Sequence, residues 1–270
     1  MSDPRAALKR AKRVVVKIGS STLARQDAAL PSLKAPASSR APLSSRAPAS
    51  AKLSAHDRLA RAMLGLRNDG KLVVLVSSGA IALGSRKLGY AGRPKEMAKL
   101  QAAASAGQSL LMRAYEEAFD RVDIPVAQVL LTHADLADRV RANNARAALE
   151  ALLDAGAVPI LNENDAVAVE EIKFGDNDEL SAMVTPLIAA DVLVLLSDVP
   201  GLLDAEGQRV SVVRDVATEA LPLIRKKKSE VGTGGMASKI EAARRATLAG
   251  AHVVIADASK KDVIDRIFAG

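Results

Sequence analysis

The chain has 270 residues, 49% of them hydrophobic and 26% charged, with no cysteine and a formal net charge of +7. That length suits a large α/β domain, and the apolar share excludes wholesale disorder. Without cysteine there is no disulfide framework, thiolate metal site or thiol nucleophile, and no apolar run approaches the roughly 20 residues of a membrane helix.

Residues 1–13 carry Arg5, Lys9, Arg10, Lys12 and Arg13 against Asp3, without the apolar core and cleavage site of a secretory signal. Residues 26–52 carry Lys34, Arg40, Arg46 and Lys52 against Asp27. These two stretches hold the whole charge excess, so the rest is formally neutral. A solvated basic tail and linker explain the charge better than a nucleic-acid groove. The five aromatics (Tyr90, Tyr115, Phe119, Phe174, Phe268) are also too few for a base-stacking platform.

Between those stretches a first strand is expected at Val14–Ile18, interrupted by Lys17. Residues 26–52 then change character. Eighteen of the 27 are Ala, Ser or Pro, and Ser-Ser-Arg-Ala-Pro occurs at 38–42 and again at 44–48. Four prolines prevent a continuous helix, so a disordered or polyproline-like loop insertion is expected. Beyond it, β-branched runs alternate with amphipathic segments. Strands are expected at Leu72–Val76, Pro125–Leu131, Val158–Leu161, Val192–Leu196 and His252–Ala256. Helices are expected over 53–69, Ala80–Leu88, Lys95–Arg121, Asn143–Asp154, Asp178–Ala190 and Gly235–Ala249, with Pro186 kinking or splitting the fifth. Repeated strand–helix units with wholly apolar strands imply a parallel sheet covered on both faces.

Three small-residue turns carry chemistry. Lys17-Ile18-Gly19-Ser20-Ser21 ends the first strand, and Val76-Ser77-Ser78-Gly79-Ala80 ends the second and opens a helix. Gly232-Thr233-Gly234-Gly235-Met236 precedes a helix carrying Lys239. Small residues and helix N-termini bring backbone N–H groups to an anion, at the carboxyl ends of strands where α/β sheets bind ligands. None of the turns is a P-loop or a Rossmann fingerprint. The densest polar cluster is Asn162-Glu163-Asn164-Asp165 after an apolar strand, followed by Gly175-Asp176-Asn177-Asp178-Glu179. Carboxylates and amides so placed can grip a zwitterion, though the same residue types also cap helices and fill turns. His56, His133 and His252 share no metal-ligand spacing, and no Gly-x-Ser-x-Gly occurs.

Together these motifs resemble the amino-acid kinase family, from about Val14 to the C-terminus apart from 26–52. The carrying residues are Val-Lys-Ile-Gly-Ser-Ser at 16–21, Ser-Ser-Gly-Ala-Ile-Ala at 77–82, Asn-Glu-Asn-Asp-Ala-Val at 162–167 and Gly-Asp-Asn-Asp at 175–178. Ser197-Asp198 with Gly201-Leu202, and Gly-Thr-Gly-Gly-Met at 232–236 with Lys239, complete the set. The resemblance implies a three-layer α/β/α sandwich with a mainly parallel sheet, a single domain over 1–270 lacking the C-terminal PUA domain of many members. The Asn-Glu-Asn-Asp cluster implies a glutamate-phosphorylating member that makes L-glutamyl 5-phosphate for proline synthesis in the cytoplasm.

Carried over by position, the resemblance implies that Ser78, Asp165 and Asn177 bind L-glutamate. ATP would contact Lys17, Gly19, Ser197, Asp198, Thr233, Gly234, Gly235, Met236, Ala237, Ser238 and Lys239. Lys17, Asp178 and Lys239 would serve the transfer, with Mg2+ carried on the nucleotide and no metal site in the protein. It further implies a glutamyl-phosphate reductase as partner, proline as feedback inhibitor and a homo-oligomer, with neither nucleic acid nor membrane as a partner. Other kinases of the fold, acting on acetylglutamate, aspartate, carbamate or a nucleoside monophosphate, are the near alternatives. A non-catalytic sensor is another, but it would not need two cations at 17 and 239. The basic run Arg225-Lys226-Lys227-Lys228 fits a solvated loop or an attractor for ATP.

Overall fold

Each of the six runs read as strands forms one. They are β1 (Arg13–Ile18), β2 (Leu72–Ser77), β3 (Val126–Leu131), β4 (Val158–Glu163), β5 (Val192–Ser197) and β6 (His252–Asp257). The computed structural model describes residues 4–20, 22–23, 53–168, 176–227 and 235–269. The expected insertion at 26–52, and Ser21, Gly175, Lys228, Thr233 and Gly234 of the motifs, lie outside these. The strands pair in the order β3-β4-β2-β1-β5-β6, every pair parallel.

Ten α-helices are found among the described residues. They are α1 (Pro4–Arg10), α2 (Ala55–Asn68), α3 (Ala80–Lys87), α4 (Met97–Asp120) and α5 (His133–Ala137), followed by α6 (Arg139–Asp154), α7 (Asp176–Leu187), α8 (Leu221–Lys227), α9 (Met236–Leu248) and α10 (Val263–Ala269). A strand's side chains alternate between faces, so β1 serves two cores. Val14, Val16 and Ile18 join Met63 of α2, Tyr115 of α4 and Phe268 of α10. Val15 joins Leu149 of α6, Leu180 of α7 and Ala246 of α9. The result is the expected sandwich, helix layers on both faces of a parallel sheet. Lys17 shares the face of Val15 and therefore meets the α7 layer.

Four expectations need correction. Residues 4–10 are not a solvated tail but a docked helix. Lys71 Nζ donates to the carbonyls of Lys9 at 2.9 Å and Ala11 at 2.8 Å, and it sits 5.4 Å from the Phe268 ring centroid. Asn162 and Glu163 lie inside β4 rather than in the turn after it, because β3 continues to pair with them through Leu130 and Leu131. The helix expected at Asp178–Ala190 runs from Asp176 to Leu187. Pro186 does not split it but sits in its last turn, one residue before its end. The tightest helix pair is α3 on α4. A Cβ on Gly84 would overlap the Ala103 carbonyl, and one on Gly107 the Ala80 carbonyl, so only glycine permits this approach.

Candidate functional site

The register brings the carboxyl ends of the central strands to one edge, with Ile18 beside Ser77 and Leu196. The first turn of α7 starts at this edge. Asp178 there is 1% exposed, between Lys17 from β1 at 5% and Lys239 from α9 at 9%. Its Oδ1 lies 2.6 Å from Lys17 Nζ, and its Oδ2 3.1 Å from Lys239 Nζ. Ser238 Oγ donates to the same Oδ2 at 2.7 Å. Each oxygen thus faces a different ammonium. Burial pulls Lys17 below its ordinary value, with Asp178 holding part of that shift back. Burial alone would raise Asp178, but the two lysines and Ser238 outweigh it and hold the carboxyl below the ordinary range. Asp198, exposed just beyond β5, adds its negative potential at Lys17.

The neighbouring residue faces a different network. Asn177 Nδ2 donates to Ser78 Oγ and Asn162 Oδ1, each at 2.8 Å, and approaches the Ser77 carbonyl at 3.2 Å. Its Oδ1 accepts from the Glu163 backbone N–H at 3.3 Å. Asn162 Nδ2 donates onward to Gln108 Oε1 at 2.9 Å, and Ser77 Oγ is 2.7 Å from Tyr115 Oη. Asn177 is therefore a bridge from α7 to β2 and β4, and the capping alternative for it falls.

Of the sequence-marked residues, the fold unites Lys17, Asp178, Ser238 and Lys239 in one cluster, with the Gly235 carbonyl 3.4 Å from Lys239 Nζ. It unites Ser78 with Asn177 in the other. Asp165 is buried in the turn after β4, Ser197 is buried at the end of β5, and Gly19 follows β1 partly exposed. Met236 and Ala237 open α9. Gly79 at φ +128° and Gly235 precede α3 and α9 and, without side chains, give neither helix a side-chain cap.

Gln108 and Tyr115 escaped the sequence reading. Both lie on the buried stripe of α4 with Leu100, Ala104, Leu111 and Met112. A glutamine on such a stripe is a legible signal, because a buried amide needs partners. Among the described residues, no cluster of three His, Asp or Glu residues could hold a metal, and no helix is long and apolar enough to cross a membrane. Two lysine ammoniums held by one carboxylate, beside an amide-lined bay, can neutralise phosphate oxygens next to a bound polar acceptor.

A family model described as the amino acid kinase family matches residues 12–257. The glutamate 5-kinase of Cupriavidus metallidurans is 46% identical over 269 residues, covering 96% of this chain and 66% of that protein. The glutamate 5-kinase of Geobacter metallireducens is 42% identical over 271 residues, covering 98% and 67%. The chain thus spans about two thirds of the length of these curated relatives. Among solved structures, carbamate kinase from Giardia lamblia bound to AMP-PNP superposes with a TM-score of 0.57 at 16% identity, covering 96% of each chain. N-acetylglutamate synthase from Neisseria gonorrhoeae with coenzyme A and N-acetyl-glutamate gives a TM-score of 0.64 at 16% identity, covering 97% of this chain and 59% of that one. At that identity the likeness is one of fold.

Proposed function

The chain belongs to the amino acid kinase family, and on that premise we propose that it transfers the γ-phosphoryl group of ATP to the γ-carboxylate of L-glutamate. The observation that carries the reading is Asp178 with one ammonium on each oxygen, next to Asn177 in its amide bay. The curated relatives bear the glutamate 5-kinase name, which supports this acceptor.

A side-chain carboxylate is already ionised at neutral pH, so the acceptor needs no general base. One of its oxygens attacks the γ-phosphorus, the bond to the bridging oxygen breaks, and ADP leaves with that electron pair. The products are ADP and L-glutamyl 5-phosphate. The obstacle is bringing two anions together while charge spreads over the phosphoryl oxygens. Lys17 and Lys239 neutralise that charge, and Asp178 keeps the two ammoniums apart and aimed. Each Asp178 oxygen faces an ammonium of this chain, and Mg2+ would enter with the nucleotide as MgATP.

First-turn N–H groups of α9 and the segment 233–239, with Gly19, Ser197 and Asp198, take the nucleotide. Ser78, Asp165 and Asn177 take glutamate, with Asp165 on its ammonium. The product is a mixed anhydride, which fits consumption by a reductase acting on an activated acyl group. Feedback by proline near the glutamate bay, a homo-oligomeric state and a cytoplasmic site of action belong to the same reading.

The test is ADP release and hydroxamate formation by the purified chain with MgATP and each of L-glutamate, acetylglutamate, aspartate, carbamate and a nucleoside monophosphate. Turnover with glutamate alone is expected. Turnover driven by another acceptor overturns the assignment.

A further inference from the structure

We propose that Ser238 is a positioning residue for Asp178: its hydroxyl locks the carboxylate so that each oxygen keeps its own lysine. The hydroxyl has one hydrogen to give, and its acceptors include Asp178 Oδ2 at 2.7 Å and the Gly235 carbonyl at 3.2 Å. The shorter contact is charge-assisted and takes it. On Oδ2 it is also shorter than the Lys239 contact at 3.1 Å. A carboxylate's terminal torsion is broad and nearly two-fold. Held by lysines alone, Asp178 can turn, share its oxygens and draw both ammoniums into tighter pairs, away from the phosphoryl group. Ser238 also stands one residue before Lys239 on the first turn of α9.

The charged groups facing Asp178 are Lys17 on β1 and Lys239 on α9, with Asp198 beyond β5 acting on Lys17 and Glu179 following on α7 itself. Glu179 is paired with Arg245 at 2.8 Å. Loss of the hydroxyl removes one of the bonds that favour ionised Asp178, so its carboxyl titrates at higher pH in the variant.

The kinetic arm rests on the proposed phosphoryl transfer, and the titration arm does not. In Ser238→Ala, kcat is expected to fall about 10–100-fold, the usual loss when a partner orienting an active group is removed. ATP affinity by calorimetry should stay near that of the unsubstituted chain, because Ser238 meets the nucleotide through its main chain, which the substitution keeps. Ser238→Thr, which keeps the hydroxyl, should restore most of kcat. Carboxyl NMR of the ligand-free protein should show Asp178 titrating higher in the alanine variant than in the threonine variant. Weaker ATP binding with kcat unchanged would make Ser238 a nucleotide contact and overturn the proposal. An unmoved Asp178 titration overturns it as well. Absence of glutamate-dependent turnover in the unsubstituted chain sinks the functional reading, and the Asp178 titration then still decides the role of Ser238.

Discussion

Asn177 and Asp178 are adjacent on one helical turn and nearly identical in shape, yet they work in opposite surroundings. Asp178 meets two ammoniums and a hydroxyl, all donors. Asn177 meets three acceptors on one side and a backbone N–H on the other. The first pocket demands a group that only accepts, and the second demands one that also donates. A single turn of α7 therefore separates a lysine-lined half of the edge, suited to phosphate, from an amide-lined half, suited to an amino acid.

The largest effect is expected from Asp178→Asn. It leaves two buried ammoniums facing an amide, and breaking a buried pair in this way costs about 3–5 kcal/mol. Turnover should fall about 10²–10³-fold, because neither lysine keeps its aim. Urea unfolding and steady-state kinetics measure both. The pH dependence follows from the two depressed values. Asp178 stabilises the fold above the ordinary carboxylate value of 3.8, and that contribution is lost as pH falls through its lower folded value. Lys17 binds its proton less firmly folded than unfolded, so stability gains as pH rises toward the ordinary lysine value of 10.5. Activity should fall over that same alkaline window as the ammonium is lost. In Asp178→Asn the alkaline loss should begin at lower pH, since the carboxylate that supported Lys17 is gone. Turnover retained in the variant, or an unshifted alkaline limb, would break the lysine-lined half of the comparison.

The reciprocal exchange, Asn177→Asp, should act through binding. A carboxylate there confronts Asn162 Oδ1 and the Ser77 carbonyl without a hydrogen to give, at about 1–3 kcal/mol. KM for glutamate should rise while ATP affinity holds. Acidification returns an O–H donor to the side chain, so this variant should recover stability where the unsubstituted chain loses it. Matching acid responses in the two proteins would show that the halves are not distinct.

A smaller, one-sided perturbation is available at Gly107. An added methyl overlaps the Ala80 carbonyl and forces α4 from α3, shifting the Ser78–Ala80 turn and the adjacent Gln108. Overpacking of this kind costs about 1–3 kcal/mol. Gly107→Ala should therefore raise KM for glutamate with little change in ATP affinity. An equal effect on ATP would mean that α4 supports the lysine-lined half too.

What the sequence disclosed divides along similar lines. The sheet was legible because six β-branched runs, several of them apolar throughout, have one good environment. Lys17 was legible because a charge in such a run needs a partner, Lys239 because it follows a small-residue turn, and Asp178 because it lies in a polar cluster that the family resemblance gives a role. Gln108 shows as a polar residue on an apolar stripe, but its partner Asn162 is set against it only by β4, so its role was not legible. Helix α1 was missed for a related reason. Its basic residues read as a tail, and its docking depends on Lys71 and Phe268, both remote in sequence. Local pattern reveals a residue that conflicts with its own neighbours. It is silent where the partner comes from elsewhere in the chain.

The smallest expected effect lies at the far end of α7. Ala189 has φ +49°, a left-handed conformation that costs an L-residue about 1–2 kcal/mol. It follows the Pro186 turn, where Ala190 N–H returns to the Thr185 carbonyl at 2.9 Å and Ala189 N–H to the Pro186 carbonyl at 3.1 Å, a helix ending usually given to glycine. Its methyl is exposed, so removing it uncovers no core. Glycine gives back about 0.5–1 kcal/mol through the freer unfolded chain. Ala189→Gly should then stabilise the protein by about 0.5 kcal/mol and raise Tm by a degree or two. Both KM values and kcat should stay unchanged, because α7 would carry Asn177 and Asp178 as a rigid rod. A lower Tm would mean that chain entropy outweighs the backbone strain. A change in kcat confined to this variant would mean that the helix's exit angle tunes the lysine-lined half from eleven residues away, and the two halves would no longer be set by their local partners alone.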